Sequence, residues 1–197
     1  TGQQAYMGLA GVFVVKAKDD PLASLPEQWL VLSDLKLAEN GQIAANSMAD
    51  RHDGREGQFV LVNAGLQPVL TLAAGERQRW RLWNATNARI LKLALPAHEV
   101  HLVGTSGGLL AAPRRIDSIM LSPGERVEIV VTARFSAGQP QGLLALQYNR
   151  GKAMGPELAE PLTLADVRQH GSIATQPLPA TLRTIAALGT PVVRRTV

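Results

Sequence analysis

An all-β sandwich is the fold class that the sequence predicts, on three observations. The phrase Gly-Glu-Arg occurs twice, as Gly75-Glu76-Arg77 and Gly124-Glu125-Arg126, each time behind a turn-forming neighbour (Ala74-Gly75, Pro123-Gly124). After each phrase the residues alternate. Trp80 and Leu82 fall on one side with Arg79 and Arg81 on the other, and Val127, Ile129 and Val131 oppose Arg126 and Glu128. A period of two belongs to a strand with one wet face. Turns then recur roughly every ten to fifteen residues with no amphipathic helix between them, the spacing of an antiparallel sandwich. Glycine permits the left-handed backbone of each turn, so the two phrases are expected to be hairpin turns of one sheet system.

Taken in order, Gly8 to Val15 is a small-residue, β-branched run suited to one strand, and Lys16 to Pro21 ends it. Trp29 to Leu32 is continuously apolar, as in a buried strand, and Asp34 follows. Asn40-Gly41 marks a tight turn. Ala44 to Gly57 is polar and reads as an exposed loop; Phe59 to Val62 returns to strand character before a turn at Asn63-Ala64-Gly65. Leu91, Leu93 and Leu95 share a strand face from which Lys92 points away, and Pro96 to Glu99 is a turn. Val100 to Val103 forms a short strand, and Gly107-Gly108 permits a sharp reversal. Ile116 to Leu121 and Val127 to Val131 are strands around Ser122-Pro123-Gly124. Leu143 to Tyr148 alternates, with Leu144, Leu146 and Tyr148 on one side, and Leu162 to Val167 supplies a last strand. Beyond Gly171, the spacing of Pro177, Pro179 and Pro191 without a clear period predicts a tether.

Composition narrows the chemistry. The 197 residues support one well-buried domain with extensions. Aromatic residues make up only 4%, so the core must come from Leu, Val, Ile and Ala. Lys and Arg number 20 against 16 acidic residues and are scattered, except for Arg77, Arg79 and Arg81. Those three read as the solvated face of a strand, with an anionic contact as the alternative. No basic run is interleaved with stacking aromatics, which argues against nucleic acid. The chain has no cysteine, which excludes disulfides and thiolate metal sites within it and decides no compartment. Met7 to Val15 is too short to span a bilayer and lacks the flanks of a signal peptide. A first residue of Thr1 is expected of a fragment or a trimmed product.

Four histidines are the conceivable metal ligands. His98 and His101, three apart, face opposite ways on an extended strand, so joint ligation needs the turn at Pro96-Ala97 to reorient His98; otherwise they are edge or turn histidines. His52 and His170 have no second ligand at useful spacing. Asp34 is the acidic residue of most interest, with a paired structural role expected ahead of a catalytic one. Asn84-Ala85-Thr86 matches a glycosylation sequon, but it is read first as a turn. Gly104-Thr105-Ser106-Gly107-Gly108 lacks the Lys-Ser/Thr of a phosphate loop and opens no helix. No catalytic, cofactor-binding or metal-binding residue is therefore assigned.

The runs GERQRWRLWNATNARILKLAL (75–95), VGTSGGLL (103–110) and LSPGERVEIVV (121–131) resemble the central cupredoxin-like domain of a three-domain multicopper oxidase of the bacterial laccase-like or cuprous oxidase type. The opening TGQQAYMGLAGVFVV resembles the end of that family's first domain. The resemblance implies a Greek-key β-sandwich and the following organisation: residues 1–18 the terminal strand of a preceding domain, 19–26 a linker, 27–170 the central domain and 171–197 a linker toward a third. Residues 8–15, without their sheet partners, are then expected to be mobile or to pair with a second copy. The resemblance also implies copper in the full-length enzyme, held in mononuclear and trinuclear sites of the first and third domains, with this chain a copper-free spacer and inactive alone. A periplasmic or secreted parent would oxidise phenols, aromatic amines or low-valent metal ions one electron at a time and reduce dioxygen to water. The alternative is a non-catalytic relative that keeps the fold as an interaction scaffold, as some cell-division proteins resemble. A free-standing sugar- or peptide-binding sandwich is disfavoured by the sparse aromatics.

Overall fold

The structure is a computed structural model that describes residues 2–187, 189 and 193. Its strands are β1 (Glu27–Leu35), β2 (Phe59–Val62), β3 (Val69–Ala74), β4 (Arg77–Asn84), β5 (Leu91–Ala94), β6 (Glu99–Thr105), β7 (Gly108–Ile116), β8 (Ile119–Leu121), β9 (Arg126–Thr132), β10 (Leu143–Leu146) and β11 (Leu162–Ser172). Two short helices, α1 (Gly2–Tyr6) and α2 (Met48–His52), accompany them. One sheet has the order β2-β1-β4-β9-β6-β7 and the other β3-β11-β10-β5-β8. The all-β sandwich stands as expected.

The alternation that suggested strands also sorts the core. Trp80 and Leu82 from β4, Val127, Ile129 and Val131 from β9, and Leu91, Leu93 and Leu95 meet between the sheets, joined by Leu30, Leu32, Leu143, Leu164 and Val167. Trp80 is the one aromatic among the largest fully buried side chains, so aliphatic packing fills the interior as the composition requires. Each such side chain contributes about 1.5–3 kcal/mol on burial.

Several expectations need correction. The sandwich is not purely antiparallel: β1 runs parallel to β4, and β11 parallel to β3. The two Gly-Glu-Arg phrases are not hairpins, because β3 and β8 lie in one sheet while β4 and β9 lie in the other. Each phrase carries the chain across the sandwich, with Gly75 at φ 86° and Gly124 at φ 83°. The crossing at Gly75 is fixed by hydrogen bonds from Gly75 N–H to Ala133 O (2.8 Å) and from Ala133 N–H to Glu76 O (2.9 Å). The expected strand 116–121 is divided for the same reason. Ile116 ends β7 in one sheet and Ile119 begins β8 in the other.

Gly8 to Val15 forms no strand; it is irregular, with Leu9, Phe13 and Val15 exposed. Ala44 to Gly57 is more than a loop. Ser47 caps α2 through a reciprocal pair with Asp50, and Arg55 and Gly57 are buried. The turn at Asn63-Ala64 is as expected, both residues having positive φ, and the Asn63 side chain bonds Val31 N–H and Trp29 O. Beyond Ser172 the described chain is irregular, yet Leu182 is buried; Pro191 of the expected tether lies outside the described residues.

Candidate functional site

The most elaborate polar assembly lies on the outer face of the six-stranded sheet. Strand alternation points Arg79 and Arg81 of β4, Glu27 of β1 and Glu128 of β9 away from the core, side by side. Arg79 is nevertheless only 2% exposed. Its guanidinium donates to Asp20 Oδ2 at 2.5 Å and, through Nε, to Glu128 Oε2 at 2.8 Å. Arg81 donates to Glu128 Oε1 at 2.5 Å and to Glu27 Oε1 at 3.0 Å. These arginines are therefore an ion network rather than a wet face. Burial pushes the Asp20 and Glu27 carboxyls up, but hydrogen bonds and charge from Arg79 and Arg81, respectively, outweigh it and hold both below the usual carboxylate range.

Beside the network a groove of about 390 Å³ runs over Trp29 and Trp83 beneath Val12 to Val15. The Arg81 guanidinium lies 5.2 Å from the Trp29 ring centroid, within cation–π range. The network therefore continues into a surface with an apolar floor.

The other residues singled out in the sequence lie apart from this face. Asp34 is 5% exposed and accepts from Gly57 N–H (2.7 Å) and Arg89 Nε (3.3 Å). Burial raises its carboxyl above the ordinary value despite these donors. Arg89 also donates to Gly57 O at 2.6 Å, so the pair clamps the segment after α2 against β1. Asn84 is fully buried. It donates to Arg89 O and Leu121 O and accepts from the N–H and hydroxyl of Thr86. The sequon is therefore an interior turn with no side chain open to a glycan.

Sequence reasoning did not find Asp53, whose carboxylate accepts from the backbone N–H groups of Ala153, Met154 and Gly155 and contacts His52 Nδ1 at 2.7 Å. The His52 bond, then the Met154 N–H, holds its carboxyl far below the usual range. Beside it Glu56 pairs with Arg89, Arg150 and Lys152. No sequence spacing connects residues about a hundred positions apart, and this cluster fastens two loops together.

The histidines are not gathered. His98 donates from Nε2 to Gln141 O at 3.0 Å and accepts at Nδ1 from Arg134 N–H at 3.3 Å, with its ring edge-on to Phe135 at 4.9 Å. Burial lowers its pKa. His101 faces Glu99 at 3.7 Å and is also lowered by burial, with Arg77 and Arg115 acting in the same sense. His170 lies 3.8 Å from Glu76.

Residues 26–141 match the multicopper oxidase family. The chain belongs to that family. It is 34% identical over 138 residues to the cell division protein FtsP of Xenorhabdus nematophila, covering 66% of this chain and 28% of that one. It is 30% identical over 151 residues to the multicopper oxidase mco of Staphylococcus haemolyticus, covering 73% and 33%. Among solved structures, a multicopper oxidase from Campylobacter jejuni described as a metallo-oxidase superposes with a TM-score of 0.84 at 38% identity, over 96% of this chain and 39% of that one. This cupredoxin-like sandwich thus spans about a third of the length of its relatives.

The multicopper oxidase family implies copper in full-length members, and the donor set of this chain does not fit such a site. A blue-copper centre needs a thiolate, and the sequence has none. Both ring nitrogens of His98 are already bonded. Among the described residues no group of three His, Asp or Glu side chains could hold a metal ion. Among the described residues no helix is long and apolar enough to cross a membrane.

Proposed function

We propose that this chain is the central, copper-free domain of a multicopper oxidase, a spacer that holds the copper-bearing first and third domains in register. Residues 1–18 then end the first domain, 19–26 and 171–197 connect, and 27–170 form the spacer. The parent couples one-electron oxidation of a phenolic or metal-ion substrate to reduction of dioxygen to water, in the periplasm or outside the cell. The observation that carries this reading is the mismatch between family and donors: the sandwich matches the family while its histidines are spent on backbone partners or stand apart. The enclosed ion network on the outer sheet face and the clamp at Asp34 support a structural part rather than a reaction centre.

The test is copper stoichiometry and visible absorption of the full reading frame beside this 197-residue chain, with oxygen uptake measured on both. Copper and oxygen uptake are expected in the parent and neither in the chain. A stoichiometric blue chromophore in the chain alone overturns the assignment.

The second reading, a non-catalytic scaffold, is favoured by one observation, the similarity to relatives named cell division protein FtsP. Flanking sequence separates the two. His-x-His pairs with a downstream His-Cys-His motif support the oxidase, and their absence supports the scaffold.

A further inference from the structure

The outer face of the six-stranded sheet carries a second, small apolar cluster, separate from the interior. Leu22 and Leu182 share it with Val103 and Val130, and Leu25, Leu109 and Leu178 pack at its edge. Leu22 is 0% exposed and Leu182 5%, although both lie in segments without regular structure. One segment leads into β1 and the other follows β11, so parts of the chain from opposite ends of the sandwich bury leucines in one place.

Each segment also has polar contacts of its own. Asp20 Oδ1 accepts from Leu22 N–H at 3.0 Å, while Oδ2 accepts from Arg79 at 2.5 Å. Arg79 is the cross-strand partner of Val130, so the charged anchor and the apolar seat of Leu22 adjoin. On the other side Leu182 N–H donates to Ala111 O of β7 at 2.8 Å.

We propose that this face is a shared docking surface for the segments before β1 and after β11, and that seating either one stabilises the other through Val103 and Val130. Leu22, Asp20, Arg79 and Leu182 are its positioning residues. Two segments that complete one apolar cluster each lose contact area when the other leaves, so their detachment is coupled, and coupling between binding events is reciprocal. For a spacer this ties the path of the chain on one side to its path on the other. That consequence rests on the function proposed above; the coupling itself does not.

Amide hydrogen exchange in the intact 197-residue chain tests it, because Leu22 and Leu182 each have a hydrogen-bonded N–H. Leu22→Ala is expected to speed exchange at Leu182 by about tenfold, within the range by which packed neighbours couple. Leu182→Ala is expected to speed exchange at Leu22 by a similar factor, and amides of β10 in the other sheet are expected to keep their rates in both. Asp20→Asn, which leaves every leucine in place, is expected to raise both rates in the same sense. Exchange at Leu182 within twofold of the unaltered chain in Leu22→Ala overturns the proposal, as does a rise shared equally by β10, which signals general loosening. Failure of copper or oxygen uptake in the full-length protein leaves the exchange result untouched, so the two readings fall separately.

Discussion

Replacing Arg79 by methionine removes the guanidinium on which the outer network is built while keeping the length of the side chain. Deleting one partner of a buried ion pair costs about 3–5 kcal/mol, because the other is left uncompensated. Here the cost is smaller. The Asp20 and Glu128 side chains keep 10% and 18% of their exposure, and Arg81 remains beside Glu128 and Glu27. A loss of about 2–3 kcal/mol follows, roughly a 30- to 150-fold fall in the folding equilibrium constant. For a chain of this length that lowers the melting temperature by about 5–10 °C. Urea unfolding followed by tryptophan fluorescence measures it, since Trp80 is buried and Trp29 borders the network. Arg79→Lys should recover part of the loss, because it keeps the charge and forfeits the fork that reaches two carboxylates. Added salt should change the parent's stability little, since charges this enclosed are poorly screened. A loss below about 0.5 kcal/mol for Arg79→Met would place the network among surface pairs and refute the reasoning.

Three further outcomes are expected. Asn84→Ala leaves Arg89 O, Leu121 O and the Thr86 hydroxyl with fewer partners in the interior and should cost about 2–4 kcal/mol by urea titration; produced in a glycosylating host, the unaltered chain should show no added glycan by mass spectrometry. Gly57→Ala puts a methyl group against the backbone of Leu35, so it should destabilise by about 2 kcal/mol or more and loosen Gly57 N–H, read as faster amide exchange there. His98 titrates below its ordinary value in the folded chain, so the unfolded chain binds the extra proton more readily. Its contribution to stability is whole above the unfolded value of about 6.5 and is lost as pH falls toward the folded one. The urea midpoint should therefore drop between about pH 7.5 and 5.5, less steeply in His98→Gln, and a midpoint independent of pH would count against it.

How much of this was readable in advance depended on whether a signal is local. The core positions of β4, β5 and β9 were visible because a period of two in Trp80-Leu82, Leu91-Leu93 and Val127-Ile129-Val131 records the face that is buried. β7 was invisible for the converse reason: as an edge strand exposed along most of its length, with Pro113 inside it, it has no alternation to read. The Gly-Glu-Arg turns were located correctly and connected wrongly, since glycine chemistry specifies a reversal and says nothing of which sheet receives the next strand. Burial of Arg79 could not be inferred because its partners, Asp20 and Glu128, lie 59 and 49 residues away. The α2 cap was available, since Ser47 and Asp50 stand at the spacing of a reciprocal capping pair. For the candidate site, the lack of thiols was plain from composition, whereas the bonding of both His98 nitrogens depends on Arg134 and Gln141 and needed coordinates.

The parallel pairing of β3 with β11 has a consequence for biosynthesis. Among the described residues β3 has no other neighbour in its sheet, so Val69–Ala74 is synthesised about a hundred residues ahead of the strand that covers its edge. Throughout that interval a nascent chain displays an open apolar ribbon. Closure of this part of the sheet therefore waits on synthesis of β11.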